Sequence, residues 1–192
     1  MQYYNEHAFE YSKKTLPIEM SEQYEKFLRT VPANGFILDA GCGSGRDALY
    51  FLKNGYQVEA FDASIELARI AQELTGLHVK HMRFQELSPR PVYDGIWANA
   101  SLLHVPDTEL RSVLALLKAA LKSGGTLFCS FKYGESDSTD DLGRNFTNKT
   151  CETLNNDLAM AGFTSRRSIT LHHSTTPEGT PQDWVNAVAI AP

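Results

Sequence analysis

The chain is short of cysteine, of long apolar runs and of excess positive charge. Its three cysteines are unevenly spaced and include no Cys-x-x-Cys pair, which argues against a disulfide framework or a zinc site. No apolar run approaches the roughly 18 residues that a membrane helix needs. A net charge of −5 gives no general attraction for nucleic acid or for an anionic membrane. Because the N-terminus also lacks the basic and apolar regions of a signal peptide, we expect a cytoplasmic protein.

Strand and helix patterns alternate along most of the chain. Strands are predicted at 36–40, 56–61, 77–83, 93–98, 126–131, 163–171 and 184–190. Helices are predicted at 20–30, 46–54, 64–75, 107–122 and 150–161, and loops at 133–148 and 172–182. This alternation predicts an α/β fold, a mainly parallel sheet covered on both faces, in one domain that spans residues 1–192.

The segment 36–62 has the pattern of a nucleotide-binding half-site. It consists of a buried strand, a glycine-rich turn, a helix, a second strand and a terminal acid, which is the layout of a βαβ unit. Gly41, Gly43 and Gly45 occupy the turn, where a backbone without side chains can approach a ligand closely. Asp62 closes the second strand roughly 20 positions after the end of the first, the offset at which an acid meets ribose hydroxyls.

Charge beside the turn indicates which nucleotide this half-site would hold. A dinucleotide fingerprint needs a glycine or alanine three positions after its second glycine, and that position is Arg46 here. The first strand ends in Asp39, a carboxylate that would repel a pyrophosphate but suits the ammonium and sulfonium groups of S-adenosylmethionine (SAM). Both residues therefore favour SAM over a dinucleotide.

From Asp39 to Gly45 the chain resembles the first motif of the class I SAM-dependent methyltransferases, an acid followed by three glycines at alternate positions. The run 43–58 is similar to small bacterial methyltransferases of the tellurite-resistance-like type, and 98–105 and 130–134 resemble a related, uncharacterised group. The resemblance implies a Rossmann-like, mainly parallel sheet of seven strands with helices on both faces. It also implies that the last two strands form an antiparallel C-terminal hairpin.

The N-terminal residues 1–31 are predicted to form a helical cap segment. Residues 1–15 are polar and aromatic, and they would form either a frayed terminus or a short helix that folds over a pocket. In the second case Tyr4 and Tyr11 would cover the cofactor, with their aromatic faces near the sulfonium. An exposed aromatic cluster would equally pack against the rest of the domain.

The resemblance extends to a set of predicted cofactor-binding residues. They are Tyr4, Tyr11, Asp39, Gly41, Cys42, Gly43, Gly45, Arg46, Asp62, Ala63, Phe84, Gln85, Ala98 and Asn99. Asp39 would hold the ammonium group, directly or through water. Arg46 either pairs with the methionine carboxylate or is a solvated first-turn side chain. Asp62 is expected to bind ribose rather than to cap a helix, because Ser64 is available as the cap.

The adenine end departs from the pattern of the family. Strand three usually ends near an acid that receives the adenine amino group, but residues 83–86 are Arg-Phe-Gln-Glu. Phe84 would pack on the adenine face or simply belong to the core, and Gln85 or a backbone group would take the amine. Ala98 and Asn99 fall at the carboxyl edge of the sheet, where open α/β folds bind their ligands.

Four residues are candidates for the chemistry or for acceptor binding. His104 is predicted to be a general base, because imidazole titrates near neutrality; alternatively, it makes only a local hydrogen bond at a helix entry. Lys132, Tyr133 and Arg144 would bind an anionic acceptor, or they are ordinary solvated residues in or beside a loop.

The acceptor is predicted to be a small molecule. Enzymes that methylate amino groups of nucleic acids carry Asn/Asp-Pro-Pro-Tyr after strand four, and this chain has Asn99-Ala-Ser-Leu102 instead. An anion, a thiol or a chalcogen oxyanion would need no strong base. No metal site is expected, because the histidine pairs at 78 and 81 and at 172 and 173 have no obvious carboxylate or thiolate partner.

Three other functions stay open. The first is a non-catalytic SAM-binding sensor or subunit, since an intact glycine motif indicates binding without proving turnover. The second is an NAD-dependent oxidoreductase, which the absence of a Tyr-x-x-x-Lys pair disfavours. The third is a protein or RNA acceptor that is reached through a partner subunit.

Overall fold

Nine strands and seven helices are present in the computed structural model, which describes residues 2–176 and 179–192. The strands are β1 (Phe36–Ala40), β2 (Gln57–Asp62), β3 (Lys80–His81), β4 (Tyr93–Ala98), β5 (Leu121–Lys132), β6 (Ser138–Thr139), β7 (Asn145–Phe146), β8 (Arg167–Thr175) and β9 (Pro181–Ile190). The helices are α1 (Gln2–Glu6), α2 (Ala8–Thr15), α3 (Ser21–Leu28), α4 (Arg46–Lys53), α5 (Ile65–Thr75), α6 (Asp107–Ala120) and α7 (Cys151–Met160). None of these described helices is long and apolar enough to cross a membrane.

Seven of the strands form one sheet in the order β3-β2-β1-β4-β5-β9-β8. The five strands β1 to β5 are parallel to one another, whereas β9 runs antiparallel to both β5 and β8. This order confirms the predicted α/β fold, a Rossmann-like, mainly parallel sheet with an antiparallel C-terminal hairpin. The carboxyl ends of β1, β2, β4 and β5 consequently meet at one edge, which is where an open sheet of this kind binds its ligand.

Each face of the sheet carries its own apolar core, because side chains alternate between faces along a strand. Ile96 of β4 packs in the core beneath α6 and α7, whereas its neighbour Trp97 packs in the opposite core, beneath α3, α4 and α5. There Trp97 stacks on Phe128 with 4.0 Å between ring centroids. A Cβ at Gly95 would lie 2.6 Å from the ring of Phe27, so the glycine allows α3 to approach β4.

Four strands differ from their predicted bounds by more than one residue. Strand β5 begins at Leu121 rather than at 126, directly after α6, and β9 begins at Pro181 rather than at 184. The strand predicted at 77–83 is present only at Lys80–His81, because it pairs with β2 at two positions before the chain leaves the sheet edge in a short 3-10 turn. The strand predicted at 163–171 starts later, at Arg167, because Phe163 first packs into the core at the end of α7. Strands β3 and β8 are the two edge strands of the sheet.

Both predicted loops contain paired strands. The loop predicted at 172–182 is mostly a hairpin, since β8 and β9 stay paired out to Thr175 and Pro181; proline is tolerated as the first residue of a strand. Pro177 and Glu178 lie outside the described residues. The loop predicted at 133–148 contains a second, two-stranded sheet that is formed by β6 and β7.

The described part of the N-terminal segment is helical over α1, α2 and α3. Helices α1 and α2 pack on α5 through a small cluster of Tyr4, Ala8 and Leu67. The Ser64 hydroxyl at the start of α5 donates to Asn5 Oδ1 over 2.7 Å. These contacts hold α1 and α2 over the carboxyl edge of the sheet, and Met1 lies outside the described residues.

Candidate active site

A cavity of about 1320 Å³ lies at the carboxyl edge of the parallel strands. We call its two parts the glycine-turn half and the hairpin half. The glycine-turn half is lined by residues 41–44, 62–63 and 84–85. The hairpin half is lined by Gln23, Asn99, Ser130, His172, Trp184 and Asn186. Side chains of α1, α2 and the loop between β6 and β7 complete the lining, so the cavity is partly roofed.

Most of the predicted site residues line this cavity. They are Tyr4, Tyr11, Gly41, Cys42, Gly43, Arg46, Asp62, Ala63, Phe84, Gln85, Asn99, His104 and Arg144. Asp39, Gly45 and Ala98 lie behind the lining, and Lys132 and Tyr133 lie outside it. The fold therefore brings the predicted cofactor residues together, whereas only Arg144 of the three predicted acceptor-binding residues lines the cavity. Lys132 is nevertheless close to Arg144, since both lie over the ring of Phe146.

Two of the turn glycines are required by close contacts with neighbouring elements. A Cβ at Gly41, which has a φ of +75°, would lie 2.5 Å from the Cβ of Ser101. A Cβ at Gly45, with a φ of +85°, would lie 3.0 Å from Ala71 of α5. Gly41 thus admits the segment that follows β4, and Gly45 lets α5 pack against the start of α4.

Gly43 lines the cavity, as Gly41 does, and it has more open space beside it. Within 4 Å, a Cβ at Gly43 would meet only the ring of Tyr11, at 3.7 Å. The Gly43 N–H donates to Asp62 Oδ2 and the Ser64 N–H donates to Asp62 Oδ1, each over 2.8 Å. Burial raises the pKa of Asp62 despite these two bonds. Because the Ser64 hydroxyl accepts from Leu67 N–H as the N-cap of α5, Asp62 is left to face the cavity at the tip of β2.

Asp39 lies beneath the glycine turn with a side chain that is only 1% exposed. Its Oδ2 has no hydrogen-bond partner within the described residues, which is uncommon for a buried carboxylate oxygen. Burial raises the pKa of Asp39 well above its ordinary value. An acceptor of this kind is ready to receive a positively charged donor directly or through water.

Arg46 is neither solvated nor free. Its guanidinium donates to Asp47 Oδ1 over 2.6 Å and to Asp47 Oδ2 over 3.0 Å, and it also donates to the Thr15 carbonyl over 3.0 Å. Asp47 accepts further hydrogen bonds from the Tyr24 hydroxyl and the Trp97 indole. Arg46 thus lines the cavity with its charge already balanced, and it ties the end of α2 to the start of α4.

The predicted adenine end is built around Phe84. The Phe84 ring packs edge-on against Phe61, with 5.2 Å between centroids, and it also lines the cavity. The residue therefore belongs to the core and to the cavity wall at once. Ala63 lies on the same part of the wall, and the Gln85 amide donates to Glu109 over 2.7 Å at its rim.

His104 meets the roof of the cavity through Tyr4. The Tyr4 hydroxyl lies 2.8 Å from His104 Nε2, and His104 Nδ1 lies 3.2 Å from the Asn145 carbonyl oxygen. Since a carbonyl can only accept, Nδ1 carries the proton and Nε2 accepts from Tyr4. Burial lowers the pKa of His104 to about 4, so the imidazole is neutral at pH 7.

The basic residues predicted to bind the acceptor have partners of their own. The Lys132 ammonium lies 3.4 Å from the centroid of the Phe146 ring. Arg144 forms a 2.7 Å ion pair with Asp140 and lies over the ring of Tyr3, 4.6 Å from its centroid. Of these cations only Arg144 lines the cavity among the described residues. Its ion pair leaves little net charge for an anionic acceptor.

Sequence reasoning missed the polar residues of the hairpin half except Asn99, which it assigned to cofactor binding. Asn186 and Trp184 face the cavity from β9, while Val185 and Ala187 between and beside them are buried in the core. The signal was a lone amide inside an apolar run at 184–190. The run predicts a strand but not which of its sides faces the cavity. That side depends on how β9 pairs with β5.

The sheet order and the site define the class of protein. Two acids lie at the ends of the adjacent parallel strands β1 and β2, with a glycine turn between them and an antiparallel pair at the far side of the sheet. This is the arrangement of a class I SAM-dependent methyltransferase. A family profile described as "Methyltransferase domain" matches residues 11–170. The chain therefore belongs to this methyltransferase family, and SAM is the cofactor of its domain.

Sequence similarity to individual methyltransferases supports the same family assignment. The chain is 30% identical over 95 residues to malonyl-[acyl-carrier protein] O-methyltransferase of Salmonella typhimurium, covering 47% of this chain and 36% of that protein. It is 27% identical over 153 residues to an uncharacterized methyltransferase of Staphylococcus carnosus, covering 77% and 70%. The chain thus spans about a third of the first relative and most of the second. The tellurite-resistance-like subfamily stays a prediction.

Solved structures share the fold across the full length of the chain. The 1,6-didemethyltoxoflavin-N1-methyltransferase of Burkholderia thailandensis has a TM-score of 0.75 at 23% identity, covering 100% of this chain and 85% of that one. A phosphoethanolamine N-methyltransferase of Haemonchus contortus has a TM-score of 0.76 at 16% identity, covering 100% and 58%. Both were solved with a small molecule and S-adenosylhomocysteine (SAH) bound.

Proposed function

We propose that the protein transfers the methyl group of SAM to a small molecule held in the hairpin half of the cavity. The proposal rests on one observation: a single continuous cavity extends from the glycine turn to the polar side chains on β5 and β9. Its volume of about 1320 Å³ exceeds the ~300–1,000 Å³ of a typical single-ligand pocket. That excess leaves room for a cofactor and an acceptor side by side.

The residues of the glycine-turn half fit SAM. Gly43 offers a backbone cradle that a Cβ would fill, and the unpaired Asp39 Oδ2 behind it would take the ammonium group. Asp62 would receive the ribose hydroxyls, and Phe84 with Ala63 would border the adenine. When bound, SAM supplies an electrophilic methyl group on a positively charged sulfur.

The chain's own contribution is to orient the acceptor and to exclude water. Tyr4 and Tyr11 line the cavity from the roof, 5.2 Å apart between ring centroids. Aromatic faces in this position would stabilise the sulfonium before transfer. The small-molecule ligands of the Burkholderia and Haemonchus neighbours support an acceptor of comparable size.

His104 is proposed to position Tyr4 rather than to remove a proton. Its pKa, lowered to about 4, makes the imidazole a weak base at neutral pH. Its unprotonated nitrogen, Nε2, already accepts a hydrogen bond from the Tyr4 hydroxyl. The pair joins the roof to the segment after β4, next to the cavity. An acceptor that needs no strong base is consistent with this arrangement.

Calorimetric titration of SAM and, separately, of NAD into the purified protein tests the cofactor assignment. We expect SAM to bind and NAD not to bind. Asp62→Ala should abolish SAM binding, because it removes the acid at the tip of β2. Asp137→Ala is the matched control, since Asp137 is exposed and does not line the cavity.

Either of two results would contradict the proposal. NAD binding in place of SAM would mean that the glycine turn holds a dinucleotide. SAM binding that survives Asp62→Ala as well as it survives Asp137→Ala would place the cofactor elsewhere on the protein.

A further inference from the structure

A continuous strip of polar side chains runs along the wall of the hairpin half. Asn99, at the end of β4, accepts from the Ser130 hydroxyl of β5 over 2.8 Å. Ser130 is paired directly with Asn186 of β9, and side chains of such pairs are ~5 Å apart. Trp184 lies two positions from Asn186 on the same face of β9. All four residues line the cavity.

Gln23 of α3 extends this strip from the other side. Its Nε2 lies 3.4 Å from Nε2 of His172, and His172 is the cross-strand partner of Trp184. Gln23 is only 5% exposed, and its Oε1 has no partner among the described residues. The distance to His172 is long for a hydrogen bond, so this buried amide is poorly satisfied within the protein.

Asn186 is the most informative residue of the strip. It is 7% exposed and lines the cavity, yet its side chain has no hydrogen bond to any residue in 2–176 or 179–192. Its amide atoms are not among the fully enclosed, unpartnered side-chain atoms of the described residues, so they are accessible from the cavity. A buried amide that faces an open space is therefore ready to bind a ligand.

The network around Ser130 determines how Asn99 faces the cavity. The Ser130 hydroxyl accepts from the Ala100 N–H over 2.7 Å and donates its single hydrogen to Asn99 Oδ1. The Oδ1 atom of Asn99 is thus engaged, and its amide hydrogens have no partner within the described residues. Asn99 consequently offers donors to a ligand, while Asn186 offers both a donor and an acceptor.

Charge in the cavity argues against an anionic acceptor. Arg46 is paired with Asp47, Arg144 is paired with Asp140, and Lys132 does not line the cavity. Lys14 and Arg83 line it from α2 and from the turn after β3, and no lysine or arginine is among the six residues that define the hairpin half. An anion in the hairpin half would lose its hydration without gaining a countercharge, which is unfavourable. A neutral ligand that carries both donors and acceptors would instead satisfy the carboxamides.

We infer that the acceptor is a neutral, planar nitrogen heterocycle whose cis-amide edge binds Asn186, Asn99 and Gln23. This inference rests on the proposed methyltransferase function and replaces the anion, thiol or chalcogen oxyanion expected from the sequence. A carboxamide holds one donor and one acceptor side by side, which is why Asn and Gln pair bidentately with nitrogen heterocycles. Trp184 would pack against the flat face of the ring.

Calorimetric binding of lumazine, a neutral bicyclic heterocycle with cis-amide edges, to the SAH-saturated protein tests the inference. The comparison ligands are 1,3-dimethyllumazine, which lacks the ring N–H donors, and benzoate, a flat anion. We expect lumazine to bind roughly tenfold or more tightly than either, the effect of losing one buried hydrogen bond or of burying an unpaired charge.

Two variants localise the binding. Asn186→Leu removes the unpaired amide from β9, and the near-isosteric Gln23→Met removes the amide from α3. Each should weaken lumazine binding roughly tenfold and leave SAH binding unchanged, which also shows that the variant is folded. Asn156→Leu is the control for Asn186→Leu, since Asn156 is exposed on α7 and outside the cavity.

The outcomes separate this inference from the proposed function. If SAH does not bind the unmodified protein, the proposed function fails. If SAH binds but lumazine does not, or if benzoate or 1,3-dimethyllumazine binds as tightly, the heterocycle inference is overturned while the proposed function stands. Equal lumazine affinity in Asn186→Leu, Gln23→Met and the unmodified protein would also overturn it.

Discussion

At the scale of single residues, Asp47 shows how a site residue can serve the fold. It accepts from Arg46, from the Tyr24 hydroxyl over 2.5 Å and from the Trp97 indole over 2.7 Å. Burial alone would raise its pKa, but Arg46 and these hydrogen bonds hold the pKa of Asp47 below its ordinary value. Arg46, for which the sequence left open a bond to the methionine carboxylate or a solvated side chain, is thus part of a buried ion pair beside the turn.

Asp47→Asn is expected to destabilise the protein strongly. Removing one partner of a buried ion pair leaves the Arg46 charge uncompensated, which costs roughly 3–5 kcal/mol. Urea unfolding followed by circular dichroism measures the loss. Asp94→Asn is the control, because Asp94 pairs with the half-exposed Lys122 and should lose much less. Equal losses of unfolding free energy in the two variants would show that the buried Arg46–Asp47 pair stabilises the fold no more than the exposed pair does.

His104 gives a prediction about pH. Its pKa falls from 6.5 to about 4 on folding because burial disfavours the charged imidazole. Between these values the unfolded chain binds a proton that the folded chain does not. Stability therefore rises with pH from about 4 to 6.5, and it falls as the solution is acidified. Over this pH range the titration of His104 changes the free energy of unfolding by up to about 3 kcal/mol.

The comparison with His104→Gln isolates this contribution from other titrating groups. Chemical unfolding at several pH values should show that the unmodified protein loses more stability than the variant between pH 6.5 and 4. Parallel curves for the two proteins would mean that His104 titrates normally in the folded state.

At the scale of elements, the accuracy of the sequence predictions follows the range of the interactions. Strand β1, the glycine turn, α4 and β2 lie within a residue of their predicted bounds, because glycines, apolar runs and the terminal acid Asp62 are local signals. Strand β3 and the β8–β9 hairpin were misplaced, because their ends depend on which strand they pair with. Pairing partners cannot be read from a local pattern.

The same reasoning explains which half of the cavity was predicted. The residues of the glycine-turn half come mainly from one βαβ unit and the turn after β3, so their proximity follows from the motif. Asn99, Ser130 and Asn186 belong to three segments that meet only because β4, β5 and β9 are neighbours. Their convergence depends on the position of β9 between β5 and β8; the family resemblance predicted an antiparallel hairpin but not which of its strands pairs with β5.

The roof formed by α1 and α2 is expected to be the least stable element around the cavity. Helices of five and eight residues are marginal by themselves, and this pair is held by a small apolar cluster and by the bonds from Tyr4 to His104 and from Arg46 to Thr15. Few buried contacts imply frequent local opening. Such opening would let a cofactor and an acceptor enter.

Hydrogen exchange tests this expectation. In the unliganded protein, amides of α1 and α2 should exchange faster than those of β1 and β4, and SAH should slow them because Tyr11 lies over Gly43. Tyr4→Phe, which removes the hydroxyl bonded to His104, should speed exchange in α1 and α2 but not in α7. Uniform exchange across these elements, or no response to SAH, would contradict the assignment of α1 and α2 as a movable roof.

At the scale of the whole molecule, the cavity is lined by two groups of residues that lie on different strands of the sheet. The glycine-turn half is built on β1 and β2, and the hairpin half on β5, β8 and β9. The wall between them is continuous, but the side chains that would bind each ligand are separate. Ligand binding in one half should therefore survive the loss of a side chain in the other.

This separation leads to a prediction for thermal unfolding. SAH at about 100 times its dissociation constant should stabilise the folded state by about 2.7 kcal/mol, which corresponds to a rise in Tm of roughly 5–10 °C for a chain of this size. Scanning fluorimetry should show that rise in the unmodified protein and in Asn186→Leu, and no rise in Asp62→Ala. Loss of the shift in Asn186→Leu would mean that the two halves are coupled, because removing an amide on β9 would then disturb the turn between β1 and α4.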